Sequence, residues 1–301
     1  MEKTNSSSQL SSEQVHCFYR LFFGLLQHTN EQYKLVKSML GKNFHDGINH
    51  NDAGKIANYL WSHPKIFDDY LDTAKLNKRE IQIINDWKKH YLKNKFYLVK
   101  YLKNGGVFLS EDKDEKPYLV KGLVSSFEEM WPRQVLPSLV ETVLLPFEGS
   151  IITCGLYYGS NIVLGNNISR EIRDACSQAE LTYGLIDSLP FTKTVNIEDV
   201  NIGQIKFYLQ SIKNLELYKE DLEELINKNP DLYLSTYYYH LGLLEAKIYK
   251  KEYRKLGIKN LHFAIYGKML IAAHTDKQQV ENTVKKLVNL KELNRIVFDK
   301  I

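Results

Sequence analysis

Residues 93–102 read Lys-Asn-Lys-Phe-Tyr-Leu-Val-Lys-Tyr-Leu, and the spacing of apolar side chains changes within them. From Ile81 to Tyr91 the apolar residues recur every three or four positions, which predicts a helix with one buried stripe. From Phe96 onward the period is two, which predicts a strand. The sequence therefore indicates a boundary between a helix and a strand just after Asn94.

Further segments with the period and flanking turns of strands follow before residue 165. The predicted strands are Phe96–Leu102, Val107–Glu111, Tyr118–Val124, Glu141–Phe147, Ser150–Leu156 and Asn161–Leu164. A brief helix around Phe127–Met130 is the one interruption. Short strands without long helices between them favour a small antiparallel sheet or barrel over a parallel doubly wound fold. The sequence leaves open whether the strands close into a barrel.

The flanking regions read as helical. Ser11 with Gln14, and Asn77 with Glu80, have the spacing of capping boxes at helix starts. The segments predicted to be helices are 52–62, 65–73, a helix capped by Ser169, 203–213, 216–228 and 232–256. Gly257 stands where a left-handed residue ends the last of these.

The C-terminal segment predicts a hairpin, a helix and a strand. Leu261–Tyr266 and Met269–Ala273 flank a Gly-Lys turn, Thr275 and Gln278 open a helix, and Arg295–Asp299 closes as a strand. Pro190 lies in a linker-like passage from Asp187 to Asn201.

These patterns predict an α+β protein of three regions. A helical region, 1–76, packs on a small β unit with flanking helices, 77–188. A C-terminal domain, 200–301, combines helices with a ββαβ unit.

Composition limits the class of protein. Apolar residues make up 44% of the 301 residues, so the chain has material for real cores and does not resemble a disordered protein. The net charge of +4 arises from 40 basic and 36 acidic side chains, and this near balance does not indicate an obligate polyanion binder. Three distant cysteines predict neither a disulfide framework nor a zinc knuckle. With no signal peptide and no apolar block of the ~20 residues that cross a bilayer, we expect a cytoplasmic protein without a membrane partner.

The stretch from 77 to 175 resembles a region of uncharacterised bacterial proteins, some of which carry a SEC-C zinc-binding tail. The residues that carry the resemblance are the Glu80–Trp87 helix leading into 95–100, and 143–152 followed by Gly155-Leu156. The cysteines of the SEC-C motif are missing from this chain. The resemblance therefore implies a structural unit and no activity.

One hypothesis is a metal site in the loop 45–52. Imidazole and carboxylate groups are suitable ligands for zinc, manganese or iron, and such a site would suit a metal-dependent hydrolase. The candidate ligands are His45, Asp46, His50 and Asp52. The alternative is that these are ordinary loop and helix-cap residues, because His, Asp and Asn are common in both places.

A second hypothesis is nucleic-acid binding by the basic and aromatic segment 87–103. Lysines neutralise phosphates and aromatic faces stack on bases. The candidate residues are Lys88, Lys89, Lys93, Lys95, Tyr97, Lys100 and Tyr101. The alternative is that the aromatic side chains are core and the lysines are its solvated edge, and the segment contains no arginine.

The sequence contains none of the motifs for nucleoside triphosphates, dinucleotides, serine hydrolases or zinc proteases. It names no catalytic residue and no cofactor. We therefore expect a non-enzymatic binding or regulatory protein, an adaptor of bacterial or phage type, whose partner is another protein. Nucleic-acid binding and metal-dependent hydrolysis are the alternatives.

Overall fold

The computed structural model describes residues 7–159 and 164–301, and it mixes helices with two β-sheets as the predicted α+β class requires. Contacts along the chain separate it into two compact units, one that ends at Thr194 and one that spans Val195–Ile301. In the part of the chain that is described, no helix combines the length and apolar character needed to cross a bilayer.

The first unit begins with four helices, continues through short strands and ends with a helix. Its elements are α1 Ser12–Tyr33, α2 His50–Ser62, α3 Lys65–Thr73, α4 Lys78–His90, β1 Leu92–Leu102, β2 Gly105–Ser110, β3 Pro117–Lys121, α5 Phe127–Met130, β4 Ser138–Phe147, β5 Ser150–Thr153, β6 Tyr158–Gly159 and α6 Asn166–Tyr183. The predicted change from helix to strand is confirmed, and β1 begins at Leu92, four residues before the predicted start at Phe96.

Five of these strands close into a barrel in the order β1-β2-β3-β5-β4, and β4 pairs again with β1. The long strand β1 makes closure possible, because it pairs with β4 along 92–98 and with β2 along 96–102, with a bulge between Leu98 and Lys100. The pairs of this sheet are antiparallel as predicted except one, since β3 and β5 run parallel. Five strands in a ring cannot alternate direction all the way round, so one parallel pair is unavoidable.

Alternate side chains of the barrel strands face two different surroundings. One cluster, which includes Phe96, Phe108 and Leu144, fills the barrel interior with Phe127 of α5 packed against it. On the outside, helices α1 to α4 cover β4 and β5, while α6 covers β1, β2 and β3. Every residue of β2 is buried for this reason, and the strand reads as a continuous apolar run.

The second unit is built around a three-stranded antiparallel sheet in the order β8-β7-β9. Its elements are α7 Ile197–Leu209, α8 Ile212–Leu217, α9 Lys219–Lys228, α10 Leu232–Lys255, β7 His262–Tyr266, β8 Met269–His274, α11 Lys277–Leu287 and β9 Ile296–Lys300. Helix α10 packs against Phe263 and Ile265 on one face of the sheet, and α11 packs against Ala264 on the other. The predicted ββαβ unit is confirmed.

Three details of the predicted helices are wrong. The predicted helix 203–213 is interrupted, because α7 ends at Leu209 and α8 begins at Ile212 after the cap residue Ser211. Ser169 does not cap α6, which begins after Gly165. Its hydroxyl instead donates to the carbonyl oxygen of Leu164 from inside the helix. Ile81 does not belong to the buried stripe of α4, because it is 39% exposed. Glu80 is buried in that turn, where its carboxylate pairs with Arg20 and closes the capping box.

Two further predictions concern segment ends. Asp276 caps α11 in place of the predicted Thr275, and its carboxylate accepts the Gln278 backbone N–H. The predicted strand Asn161–Leu164 falls mostly on residues 160–163, which lie outside the described part of the chain. Leu164 itself is not in a strand.

Candidate functional site: the outer face of helix α10

Helix α10 has 24 residues and is therefore about 36 Å long. It follows Pro230 and ends before Gly257, whose φ of 73° lies in the left-handed region. The backbone N–H of Ile258 reaches back to the carbonyl oxygen of Tyr253 across this turn. The predicted left-handed end of the helix is confirmed.

The inner face of α10 carries small residues where it meets the sheet. Gly242 and Ala246 are buried there, against Val297 of β9. A Cβ atom built on Gly242 would lie 2.9 Å from Cγ2 of Val297. Glycine is needed at this point because the helix backbone approaches the sheet too closely for a side chain.

The outer face of α10 is apolar as well. Tyr233, Tyr237, Leu244 and Ile248 lie within about 60° of one another around the helix, and each is between 46% and 58% exposed. They point away from the side that holds Gly242. We call these four residues the apolar stripe.

Cations follow the apolar stripe toward the C-terminal end of α10, where Lys251 and Lys255 continue the stripe and Lys247 and Arg254 lie beside it. This basic end consists of Lys247, Lys250, Lys251, Arg254 and Lys255. Lys250 pairs with Asp299 of β9 at 2.7 Å, and Lys255 pairs with Glu252 at 2.8 Å. Among the described residues, the other three cations have no ion-pair partner. The helix dipole favours cations at this end, but it does not neutralise three of them.

The residues predicted to bind nucleic acid are divided among several contacts. Lys88 pairs with Asp68 of α3 at 2.5 Å, Lys93 donates to the Asn58 side chain at 3.0 Å, and Lys100 pairs with Glu180 of α6 at 2.7 Å. These partners lie on three different helices. The structure therefore does not bring the lysines together on one surface, and Lys89 and Lys95 remain exposed.

The two tyrosines of that prediction are also engaged. The Tyr97 hydroxyl contacts the Glu111 carboxylate at 3.2 Å, and the Tyr101 hydroxyl donates to the carbonyl oxygen of Trp131. Burial raises the pKa of Tyr101 to about 12. The ring of Tyr101 lies 5.7 Å from the guanidinium of Arg133. Neither tyrosine ring is fully exposed for a base to stack on it.

The four predicted metal ligands occupy two neighbouring turns. His45 and Asp46 lie in a short 3₁₀ helix, and His50 and Asp52 lie in the first turn of α2. The His45 ring packs edge-on against Phe23, and Asp52 accepts a hydrogen bond from the Asn49 side chain. Within residues 7–159 and 164–301, no three His, Cys, Asp or Glu side chains are placed to hold a metal ion.

A small pocket lies between α2 and the outside of the barrel. It is lined by Ala57, Asn58, Trp61, Lys93, Glu141, Thr142, Val143, Cys154, Leu156 and Tyr158. Lys93 is one of these lining residues, and the His50 ring packs against another, Tyr158, with ring centroids 5.8 Å apart. We call it the Trp61 pocket.

The sequence carried a signal for the α10 face. Tyr239 is packed in the core while Tyr237, two residues away on the same helix, is exposed. Plotting the whole of 232–256 on a helix would have revealed a second apolar face. No protein-family model, no curated protein and no solved structure matches this chain. The resemblance of 77–175 to bacterial proteins stays a prediction.

Proposed function

We propose that the protein is a non-enzymatic adaptor and that the outer face of α10 binds a helix of a partner protein. The partner helix would be amphipathic, with apolar residues along the stripe and acidic residues at the end that meets the basic end. The observation that carries the proposal is the exposed apolar stripe with a cluster of cations at its C-terminal end.

The apolar stripe supports a helical partner. Large apolar side chains grouped on one exposed face mark interaction surfaces more often than chance exposure does. Two tyrosines in the stripe add to this, because tyrosine is enriched in interfaces and keeps its polar end in water. Anchors at Tyr237, Leu244 and Ile248 follow the spacing with which one helix recognises another.

The basic end supports an acidic partner over a second copy of the chain. If two α10 stripes paired in antiparallel fashion, the basic end of one helix would meet the start of the other. Asp231 is the acidic residue there, against the three unpaired cations Lys247, Lys251 and Arg254. An acidic segment matches these charges better, and complementary charge fixes register and speeds encounter.

The test is native capture from the source cell with the full chain and two variants. Leu244→Asp places a charge in the centre of the stripe and should remove the partner, because interface anchors contribute about 2 kcal/mol or more. The matched control is Ile212→Asp on α8, where the native side chain is 69% exposed, and this variant should retain the partner. Cross-linking and peptide mapping should place the contact in an acidic amphipathic segment.

Several outcomes would contradict the proposal. A partner retained equally by both variants would bind elsewhere on the chain. If the only cross-link were to a second copy of this chain, the α10 face would serve self-association and would not bind an acidic partner. Nucleic acid in the captured sample, seen first in the 260/280 absorbance ratio, would favour the nucleic-acid alternative. Stoichiometric metal with phosphate-ester turnover would favour the hydrolase.

A further inference from the structure

An open cleft lies where helix α11 begins to cross the three-stranded sheet of the second unit. Its volume is about 340 Å³, which falls within the range of sites that hold small molecules. The sheet lines it with His262, Phe298 and Lys300. Helix α11 lines it with Lys277 and Val280. Two ammonium groups and an imidazole therefore surround one cleft, and such groups donate hydrogen bonds to anions.

The pairing of the strands places the sheet residues of the cleft on one face. His262 of β7 lies directly opposite Lys300 of β9, and directly opposed side chains stand on the same face about 5 Å apart. Phe298, two residues before Lys300, is on that face too. It is the face that α11 covers, because Ala264, which pairs with Phe298, packs with Val280.

One acidic residue, Asp299, also lines the cleft, but its charge is balanced elsewhere. It alternates with Lys300 along β9, so its side chain lies on the other face of the sheet. There its carboxylate pairs with Lys250 of α10 at 2.7 Å. Lys300 has no ion-pair partner within the described residues of the chain, so its ammonium is available to a ligand.

Two further acids at the start of α11 do not line the cleft. Glu281 contacts Lys277 at 3.3 Å, and an exposed pair of this kind holds its members weakly. Asp276 caps the helix, and its carboxylate accepts the Gln278 backbone N–H. Because the first turn of α11 is already capped, side-chain cations have to hold an anion in this cleft.

We propose that the cleft binds a nucleoside monophosphate. A phosphate monoester carries about 1.5–2 negative charges at neutral pH, which suits several converging cations better than the single charge of a carboxylate does. Phe298 is 43% exposed beside these cations, and an exposed aromatic ring is a surface on which a nucleobase stacks. The cleft lies on the face of the sheet opposite α10, so it is separate from the proposed adaptor face.

The test is a calorimetric titration of the full chain with AMP at low salt, beside inorganic phosphate and adenosine as the two halves of that probe. AMP should bind about tenfold more tightly than either half, and its binding should weaken as salt rises. Lys300→Gln should weaken AMP binding about tenfold, because a charge-assisted contact is lost. Lys268→Gln is the matched control at the other end of the β7–β8 hairpin, where the lysine is exposed, and it should bind AMP as the natural chain does.

A second variant tests the ring contact by itself. Phe298→Leu keeps an apolar side chain on β9 and removes the aromatic face. It should therefore weaken AMP binding about five- to tenfold and leave the binding of inorganic phosphate unchanged. Circular dichroism and thermal unfolding check that each variant keeps the native fold.

Four results would overturn the proposal. The first is no binding of AMP up to high millimolar concentration. The second is adenosine that binds as tightly as AMP, which would show that the cations play no part. The third is unchanged AMP affinity in a natively folded Lys300→Gln or Phe298→Leu variant. The fourth is a single-stranded oligonucleotide that binds through Lys300 more tightly than AMP, which would make nucleic acid the ligand.

Discussion

Helices α1 and α10 have similar length and are both rich in apolar and aromatic side chains, yet their surroundings differ. Helix α1 has 22 residues and α10 has 24, and each carries apolar and aromatic side chains on more than one face. In α1 these faces are covered within the first unit. In α10 one face meets the sheet, and the opposite face, with Tyr237 and Ile248, is exposed. The comparison teaches that a wide apolar surface on a helix predicts that something packs on it. It does not predict whether the same chain or a partner supplies that contact.

The cover on α1 comes from several elements. Phe18 meets Trp87 of α4 with ring centroids 5.7 Å apart, and Phe22 stacks with Trp61 of α2 at 6.4 Å. Phe23 meets His45 at 5.4 Å. In α10, only the inner face is covered in this way, by the three-stranded sheet. If the α10 face binds a partner, that partner supplies the cover that neighbouring helices supply to α1.

The largest expected effect is a difference in the free energy of unfolding between a substitution in α1 and one in α10. Phe18→Ala in α1 should cost about 3–5 kcal/mol, because a fully buried ring leaves a cavity. Ile248→Ser in the stripe should change stability by no more than about 0.5 kcal/mol. Urea unfolding measures both, with tryptophan fluorescence for the first unit, where Trp61, Trp87 and Trp131 all lie, and far-UV circular dichroism for the whole chain. Comparable losses in the two variants would mean that the stripe is not solvent-exposed.

A smaller effect should distinguish the two faces of α10 itself. Gly242→Ala gains about 1 kcal/mol of helix propensity, but the new methyl group would lie 2.9 Å from Val297, and such overpacking costs about 1–3 kcal/mol. We expect a net loss of stability of about 0–2 kcal/mol, measured by amide hydrogen exchange in β7 and β9. Lys247→Ala on the exposed side is the control and should leave exchange unchanged. A stabilised Gly242→Ala would show that the helix can move off the sheet.

The smallest effect concerns the basic end. Lys251→Gln should slow association with the captured acidic segment by a few-fold at low salt, because an exposed charge contributes about 0.2–1 kcal/mol and acts mainly on the association rate. The difference should fade as salt rises. Lys255→Gln is the comparison, since Lys255 already pairs with Glu252 and its removal should matter less. Stopped-flow mixing gives the association rates. If the rates of both variants depended equally on salt, the charge of Lys251 would have no part in binding the partner.

Local patterns predicted most elements because the signals are local. The helix Phe127–Met130 matches the structure residue for residue, and the predicted helix 232–256 ends within one residue of α10. The errors arose where a polar group competed with the pattern. Glu80 is buried because Arg20, 60 residues away, neutralises it, and no local rule would have placed it there.

The candidate sites were harder to predict than the elements. Each predicted set of site residues lies close together in sequence, but the lysines of 87–103 make their contacts with three different helices. The residues that line the Trp61 pocket, by contrast, are far apart in sequence and close together in the structure. Trp61, Lys93, Glu141 and Cys154 come from distant positions, and nothing in the spacing of any one of them indicates a site.

The sequence by itself determined the type and order of the elements, since apolar period, caps and turn residues act within a few residues of one another. Only the tertiary structure decided that β1 pairs on both sides and closes a barrel with one parallel pair. It also decided that α1 is enclosed while one face of α10 is not. These outcomes depend on contacts between residues far apart in the chain, and such contacts leave no periodic trace in one sequence.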